Sequence, residues 1–338
     1  MSEITRCDPI SLIGRRLGGY SACRGGTDVS AEKRTEYDRM RTESSPPETD
    51  ASLCPDAESI RRTVNGVELH AVVAGDESAP LVVLLHGFPG FWYTWRHQID
   101  PLVDAGYRVL VPDQRGYNLS EKPGPVREYR QRTLATDVVE LIGTEGRDSA
   151  HVVGHDWGGM VAWSLALHHP SAIDTLGIVN APHPVAFRRQ LLSNPEQLRR
   201  SWYAFFFQLP AVPEWACRYD EYRLLEQVLR ETSAPDTFTD EDIKRYRQAW
   251  RQEGVLSGML AWYRASARYP PKPPRTDVDV PTLVVWGRDD VALVPELAID
   301  SYDFCPNGRL EFLPEASHWV LHERPERTTE LMVDSFRR

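Results

Sequence analysis

Cysteine and long apolar runs are both scarce in this sequence of 338 residues. The five cysteines are odd in number and widely spaced, which argues against a disulfide framework or a zinc finger and favours a reducing cytoplasm. Apolar runs are short, as in Leu81–Leu85, so the sequence predicts no transmembrane helix. The first residues also lack the basic and then apolar pattern of a secretory signal.

Positive charge is also in deficit, because 39 Lys and Arg stand against 49 Asp and Glu, for a formal net charge of −10. Nucleic-acid binding needs a basic surface, so this balance argues against a nucleic-acid partner. The remaining composition is ordinary for a globular protein, with 41% apolar and 26% charged residues. The length allows one large domain or two smaller ones, with a sizeable core.

Three regions of different character follow one another along the chain. Residues 1–57 are polar and without a sustained period, which predicts a disordered N-terminal extension. Residues 58–184 and 277–338 alternate apolar strands with helices, as in an α/β core whose mostly parallel sheet is covered on both faces. Residues 185–276 are aromatic and helical in spacing, which predicts a helical cap inserted in the core. Such a cap would cover the carboxyl ends of the strands, where α/β folds bind ligands.

Short apolar runs predict the strands of the core, and two periodic segments predict helices. Asn65 and Gly66 form the expected turn of a hairpin. The further predicted strands are Leu81–Leu85, Tyr107–Val111, His151–Gly154, Thr175–Val179, Thr282–Trp286 and Arg309–Phe312. The predicted helices are Thr133–Glu145 and Gly159–His169.

The strongest functional signal is the sequence GHDWGG at residues 154–159. It follows a predicted strand and precedes a predicted helix, which is the context of a nucleophile elbow. Asp156 stands where the usual elbow has serine. A carboxylate is already anionic at neutral pH and can attack a saturated carbon, giving an ester that water then hydrolyses. Epoxides or alkyl halides are therefore the expected substrates, although an Asp at a helix start can also be a simple cap.

Two later segments supply a base and a residue to orient it. Asp290 ends the sequence WGRDD after one predicted strand, and His318 lies in ASHW after the last one. We expect His318 to take a proton from water and Asp290, rather than Asp289, to hold the imidazole. The backbone amides of Phe88, in the sequence HGFP, and of Trp157 are the expected oxyanion hole. Residues expected to fix loops rather than react are His86, His155, Asp113 and Arg115.

Over residues 60–338 these motifs resemble those of epoxide hydrolases with the α/β-hydrolase fold. The same motifs occur largely in haloalkane dehalogenases, so they indicate the mechanism and not the substrate. Two cap segments discriminate: SWYAFFFQLP at 201–210 and GMLAWYR at 258–264 resemble the two tyrosine segments of epoxide hydrolases. The resemblance implies that Tyr203 and Tyr263 open the ring. Phenols suit that task, because the departing alkoxide needs a proton donor.

A few positions separate this sequence from its nearest rivals and from the family pattern. Phe88 stands where haloalkane dehalogenases usually have Asn, and Trp157 where haloacetate dehalogenases have Arg, so both positions favour an epoxide hydrolase. Gly90 stands where many epoxide hydrolases have Glu. Ala204 stands where some of them have Gln. A dehalogenase with the same triad is the main alternative, and a non-catalytic binding protein on this fold is another.

The predicted activity converts apolar epoxides and water to vicinal diols, with no metal and no organic cofactor. The sequence does not determine the oligomeric state, and a homodimer is one of the states that it allows. Aromatic residues near the motifs predict an apolar substrate pocket, although they could equally belong to the core. These residues are Phe91, Trp92, Trp95, Trp157, Phe205–Phe207 and Trp319.

Overall fold

A computed structural model describes residues 57–338, so the predicted disordered extension lies outside the described residues except for Ala57. Eight strands form one sheet in this part of the chain. They are β1 (Glu58–Val64), β2 (Val67–Ala74), β3 (Leu81–Leu85), β4 (Arg108–Pro112), β5 (Ala150–His155), β6 (Ile173–Val179), β7 (Thr282–Gly287) and β8 (Gly308–Leu313). Their order is β1-β2-β4-β3-β5-β6-β7-β8, with β2 antiparallel to both neighbours and all other pairs parallel.

Twelve α-helices accompany the sheet within residues 57–338. They are α1 (Ile99–Asp104), α2 (Gln131–Thr144), α3 (Trp157–His168), α4 (Pro184–Ser193), α5 (Pro195–Arg200), α6 (Trp202–Phe206), α7 (Val212–Glu231), α8 (Asp240–Trp250), α9 (Val255–Arg268), α10 (Glu296–Tyr302), α11 (Val320–Glu323) and α12 (Pro325–Phe336). The backbone of α7 is not helical at Tyr219–Tyr222, where the helix is kinked. Within the same residues, every helix is too short or too polar to cross a bilayer.

The strands form where the sequence predicts them, for two local reasons. Asn65 and Gly66 have φ values of 46° and 76°, the two positive angles that a two-residue type I′ hairpin turn requires. The inner strands β3, β5 and β7 are buried along their whole length. Continuous burial is expected of parallel strands with helices on both faces, which explains why their sequences are apolar runs rather than alternating patterns.

Six helices, α4 to α9, lie between β6 and β7, and we call residues 184–268 the helical insertion. The last of them packs closely on the loop that follows β4. A Cβ atom at Gly258 would lie only 2.4 Å from the carbonyl oxygen of Gly116, and the indole of Trp262 donates to the carbonyl of Arg115 at 3.0 Å. These contacts hold α9 against the loop that follows β4.

Candidate active site

Asp156 lies in a tight turn between β5 and α3. Its φ of 52° and ψ of −120° are strained values for a residue with a side chain. The turn is possible because glycines flank it. A Cβ atom at Gly154 would lie 2.3 Å from the carbonyl oxygen of Gly158, and one at Gly158 would lie 2.1 Å from that of Leu85. The chain around Asp156 thus has the geometry expected of a nucleophile elbow.

The structure brings His318 between two carboxylates. Its Nδ1 donates to Oδ2 of Asp290 at 2.8 Å, and its Nε2 lies 3.7 Å from Oδ2 of Asp156. Asp290 follows β7 and is buried, whereas its neighbour Asp289 is exposed. The three residues expected to act together therefore meet at the carboxyl ends of their strands.

The charges of this cluster shift the pKa values of its members. Burial opposes an imidazolium at His318, but Asp290 and Asp156 outweigh burial and raise its pKa to about 9. Burial also opposes ionisation of Asp290, yet His318 and hydrogen bonds from Asn180 and Leu293 lower the pKa of this carboxyl. Burial dominates at Asp156 and raises its pKa, although His318 and two backbone amides act in the other direction.

Those two amides belong to Phe88 and Trp157. The Phe88 amide donates to Oδ1 of Asp156 at 2.7 Å, and the Trp157 amide hydrogen-bonds the same carboxylate. The loop can approach this closely because residue 87 is glycine, where a Cβ atom would lie 2.3 Å from Oδ1 of Asp156. The two oxygens of Asp156 are thereby distinguished, since Oδ1 contacts the Phe88 amide and Oδ2 faces His318.

Tyr203 and Tyr263 lie together on the helical insertion, with ring centroids 6.0 Å apart. Tyr263 packs edge-on against Trp157 at 4.8 Å, and the Trp157 side chain hydrogen-bonds its hydroxyl. Burial raises the pKa of both phenols, and the negative charge of Asp156 raises it further. Both hydroxyls therefore keep their protons at neutral pH and can donate them.

The side chains of Arg264 and Gln208 hold the two tyrosine segments to each other. Arg264, next to Tyr263, donates to the carbonyls of Phe207 and Leu209 at 3.0 and 2.9 Å. Gln208 donates to the carbonyl of Tyr263 at 3.3 Å. The sequence gives no signal for these contacts, because each joins residues more than fifty positions apart.

The aromatic residues expected to line a pocket divide into separate groups. Phe207 packs on Phe88 and Tyr263, with ring centroids 5.5 and 4.8 Å away. The Trp319 ring lies 5.3 Å from that of His318. The other aromatic residues lie elsewhere or face solvent. Phe91 and Trp92 both pack against Tyr93, and Phe91 also packs against Tyr246. Trp95 is fully buried, Phe206 is half-buried beside Phe207, and Phe205 is 61% exposed.

The residues expected to fix loops have such contacts. His155 donates from Nε2 to the carbonyl of His318 at 2.9 Å, and burial lowers its pKa to about 3. Burial likewise lowers the pKa of His86 to about 4, and its Nε2 accepts from an amide at 3.1 Å. Asp113 accepts from the amide of Trp92 at 2.9 Å, and Arg115 forms a buried ion pair with a helix α2 carboxylate.

Asn180 is a site residue that sequence reasoning missed. Its Nδ2 donates to Oδ2 of Asp290 at 2.7 Å, and its Oδ1 accepts from the amide of Gly287 at 3.1 Å. It directly follows β6 with a φ of 44°, a conformation that Asn tolerates better than most residues. An Asn just after a predicted strand is the signal that could have identified it.

A family-wide sequence profile described as alpha/beta hydrolase fold matches residues 80–325. This chain is an α/β-hydrolase. The hydrolase is 45% identical over 270 residues to the AB hydrolase superfamily protein YfhM of Bacillus subtilis, a match that covers 80% of this chain and 94% of YfhM. It is 37% identical to Epoxide hydrolase 1 of Caenorhabditis elegans, with 78% of this chain and 66% of that relative covered.

Solved structures give the same picture of the hydrolase. An epoxide hydrolase from Bacillus megaterium, in complex with an inhibitor, has a TM-score of 0.75 at 30% identity, over 82% of this chain and 100% of that one. The predicted fold and the resemblance to epoxide hydrolases are thus confirmed. In residues 57–338 of the hydrolase, no group of three or more His, Cys, Asp or Glu side chains is arranged to hold a metal ion.

Proposed function

We propose that this hydrolase opens epoxides with water to give vicinal diols, by way of an ester on Asp156. The observation that supports this most directly is the placement of the Asp156 carboxylate. One oxygen accepts from the Phe88 amide, and the other faces His318 at 3.7 Å. The paired phenols of Tyr203 and Tyr263 lie close enough for the charge of Asp156 to raise their pKa values. Relatives named epoxide hydrolase support the same reaction.

In the first step, Oδ2 of Asp156 attacks a ring carbon and the carbon–oxygen bond of the epoxide breaks. A proton passes from Tyr203 or Tyr263 to the ring oxygen, which leaves a hydroxyl group on the ester and a phenolate on the enzyme. Donation matters here because an alkoxide is otherwise a poor leaving group. The apolar rings of Phe207 and Phe88 beside Tyr263 favour an apolar epoxide.

In the second step, His318 takes a proton from water and the hydroxide attacks the ester carbonyl carbon. Esterification has removed the negative charge of Asp156, which lowers the pKa of His318 and makes neutral imidazole available as the base. The carbonyl oxygen is Oδ1, so the amides of Phe88 and Trp157 stabilise its charge in the tetrahedral intermediate. As the tetrahedral intermediate collapses, the proton of its hydroxyl group passes to the departing alkoxide, which completes the diol and leaves Asp156 as a carboxylate. The proton on His318 restores the phenol.

A single turnover in water enriched in heavy oxygen tests this route. The first diol formed should contain oxygen from Asp156, and the label should appear in the Asp156 carboxylate. Label in the first diol instead would show direct attack by water. Halide release from haloalkanes or haloacetate, with no diol from any epoxide, would favour a dehalogenase. A cytoplasmic location stays a prediction, which fractionation would test, and sedimentation would determine the oligomeric state that the sequence leaves open.

A further inference from the structure

The loop that bears His318 is hydrogen-bonded to a residue outside the catalytic cluster, Glu323 at the end of α11. Its carboxylate accepts from the amide of Ser317 at 2.6 Å and from the Ser317 hydroxyl at 2.7 Å. The same carboxylate accepts from the amide of Ala234 at 2.7 Å. Ala234 belongs to the helical insertion, in the segment between α7 and α8. One carboxylate thus joins the residue before His318 to the insertion.

The residue after His318 contacts the same segment of the insertion. The indole N–H of Trp319 donates to Oγ1 of Thr232 at 2.8 Å, and its ring packs edge-on against Phe238 with centroids 5.5 Å apart. The amide of Trp319 donates to Oγ of Ser317 at 3.1 Å. Both neighbours of His318 are therefore linked to residues 232–238 of the insertion, Trp319 directly and Ser317 through the Glu323 carboxylate.

This arrangement connects the groups of the two proposed steps. The insertion also contains Tyr203 and Tyr263, the proposed proton donors of ring opening. His318 is the proposed base of ester hydrolysis. Its imidazole is hydrogen-bonded to Asp290, which belongs to the core and not to the insertion. Glu323 links the insertion to the histidine loop through Ala234 and Ser317 rather than through Asp156 or the phenols.

We propose that Glu323 is a positioning residue for ester hydrolysis, holding the His318 loop against the helical insertion. The proposal rests on the proposed function, because it assigns Glu323 to the second of its two steps. The titratable groups around His318 are Asp290 after β7, Asp156 and His155 at the end of β5, and Glu323 itself. The negative charge of Glu323 favours the imidazolium, so its removal lowers the pKa of His318.

Glu323→Gln separates the steps when ester formation and ester hydrolysis are measured in rapid-quench experiments. We expect ester formation within about threefold of the wild-type rate, and maximal hydrolysis slowed about tenfold or more, as for loss of a charge-assisted hydrogen bond. The pH midpoint of hydrolysis should move to lower pH. Glu323→Asp keeps the charge but shortens the reach, so it should slow hydrolysis with a smaller shift of the midpoint.

Glu326→Gln is the matched control, because Glu326 is exposed on α12 and its substitution makes the same change of charge. It should leave both rates and the midpoint unchanged. If Glu323→Gln does not fold, Thr232→Val removes the hydrogen bond from Trp319 and should slow hydrolysis selectively. Equal slowing of both steps, or wild-type hydrolysis with an unmoved midpoint, would overturn the proposal. Failure of the wild-type protein to form an ester would instead refute the proposed function.

Discussion

Nε2 of His318 lies 3.7 Å from Oδ2 of Asp156, while Nδ1 of the same ring is 2.8 Å from Asp290. The shorter distance is a hydrogen bond and the longer one is not. Oδ2 of Asp156 therefore makes no hydrogen bond to the imidazole and keeps its lone pairs for a reacting carbon. Nε2 faces the bond that would form there, so once esterification has removed the charge of Asp156 the neutral imidazole is placed to act as the base of the following hydrolysis.

Replacing His318 with Gln should trap the ester, because ring opening needs Asp156 and the phenols but hydrolysis needs the base. We expect hydrolysis to slow by about 10²–10⁴-fold, the usual contribution of a general base. Intact-protein mass spectrometry after mixing with an epoxide should show a mass increase equal to that of the epoxide. Asp156→Asn, measured alongside, should show no rapid mass increase, and an equal increase in both variants would place the ester elsewhere.

The rate of ester hydrolysis should rise with pH to a plateau, because only neutral His318 can accept a proton from water. In the free enzyme Asp290 and Asp156 hold the pKa of His318 at about 9 despite burial. Esterification neutralises Asp156, so the midpoint for hydrolysis should lie below 9. Rapid-quench measurements of the preformed ester between pH 5 and about pH 10 give this midpoint. A midpoint above that of the free enzyme would contradict the assignment of the two carboxylates.

Changing both Tyr203 and Tyr263 to Phe should slow ester formation by about 10²–10⁴-fold, because no general acid then meets the ring oxygen. Each single substitution should have a smaller effect, since one phenol remains. The measurement is the rate of mass increase in the first turnover. Tyr219→Phe is the control, because this phenol is 59% exposed on α7 and should have no effect. Full activity in the double variant would show that the pair does not act on substrate.

The sequence predicts the sheet and the meeting of the proposed catalytic residues for the same physical reason. Buried parallel strands are apolar runs, and the residues that follow them gather at one edge of the sheet, as Asp156, Asp290 and His318 do. Contacts within and to the helical insertion could not be predicted. The hydrogen bond between Ala234 and Glu323 joins residues 89 positions apart, and no periodicity or turn signal specifies such a pairing.

The residues of the predicted substrate pocket also could not be identified from the sequence alone. Phe91 and Phe207 are equally aromatic, yet one packs with Tyr246 and the other with Tyr263 beside the Asp156 loop. Side-chain direction on short turns depends on the packing of neighbouring elements, which a single sequence does not specify. Phe205 illustrates this most clearly, since it is exposed while Phe207, two positions later, is buried.

Asn180→Gly should lower both stability and the rate of hydrolysis. Glycine accepts the φ of 44° at this position, so the variant isolates the loss of the side chain. Oδ2 of Asp290 loses one of its two donors and keeps His318, while the amide of Gly287 loses its acceptor, in a buried site. The free energy of unfolding should fall by about 1–3 kcal/mol, measured by denaturant titration. An unchanged unfolding midpoint together with unchanged hydrolysis would show that Asn180 does not support Asp290.

Gly158→Ala should displace the nucleophile turn. The new Cβ atom would lie 2.1 Å from the carbonyl oxygen of Leu85 and 2.6 Å from that of His86, and both are backbone atoms that cannot rotate away. Helix α3 must then move from β3, and Asp156 at its start moves with it. We expect the free energy of unfolding to fall by about 1–3 kcal/mol or more, and ester formation to be lost.

Gly143→Ala provides the comparison for that substitution. Gly143 is exposed near the end of α2, and a Cβ atom there would meet nothing within 4 Å. Alanine should therefore stabilise the protein by up to about 1 kcal/mol through its higher helix propensity, with activity unchanged. Denaturant titrations compare the free energies of unfolding of the two variants with that of the wild type. If Gly158→Ala were as stable and as active as Gly143→Ala, close backbone contact at position 158 would not be required to hold Asp156 in its strained conformation.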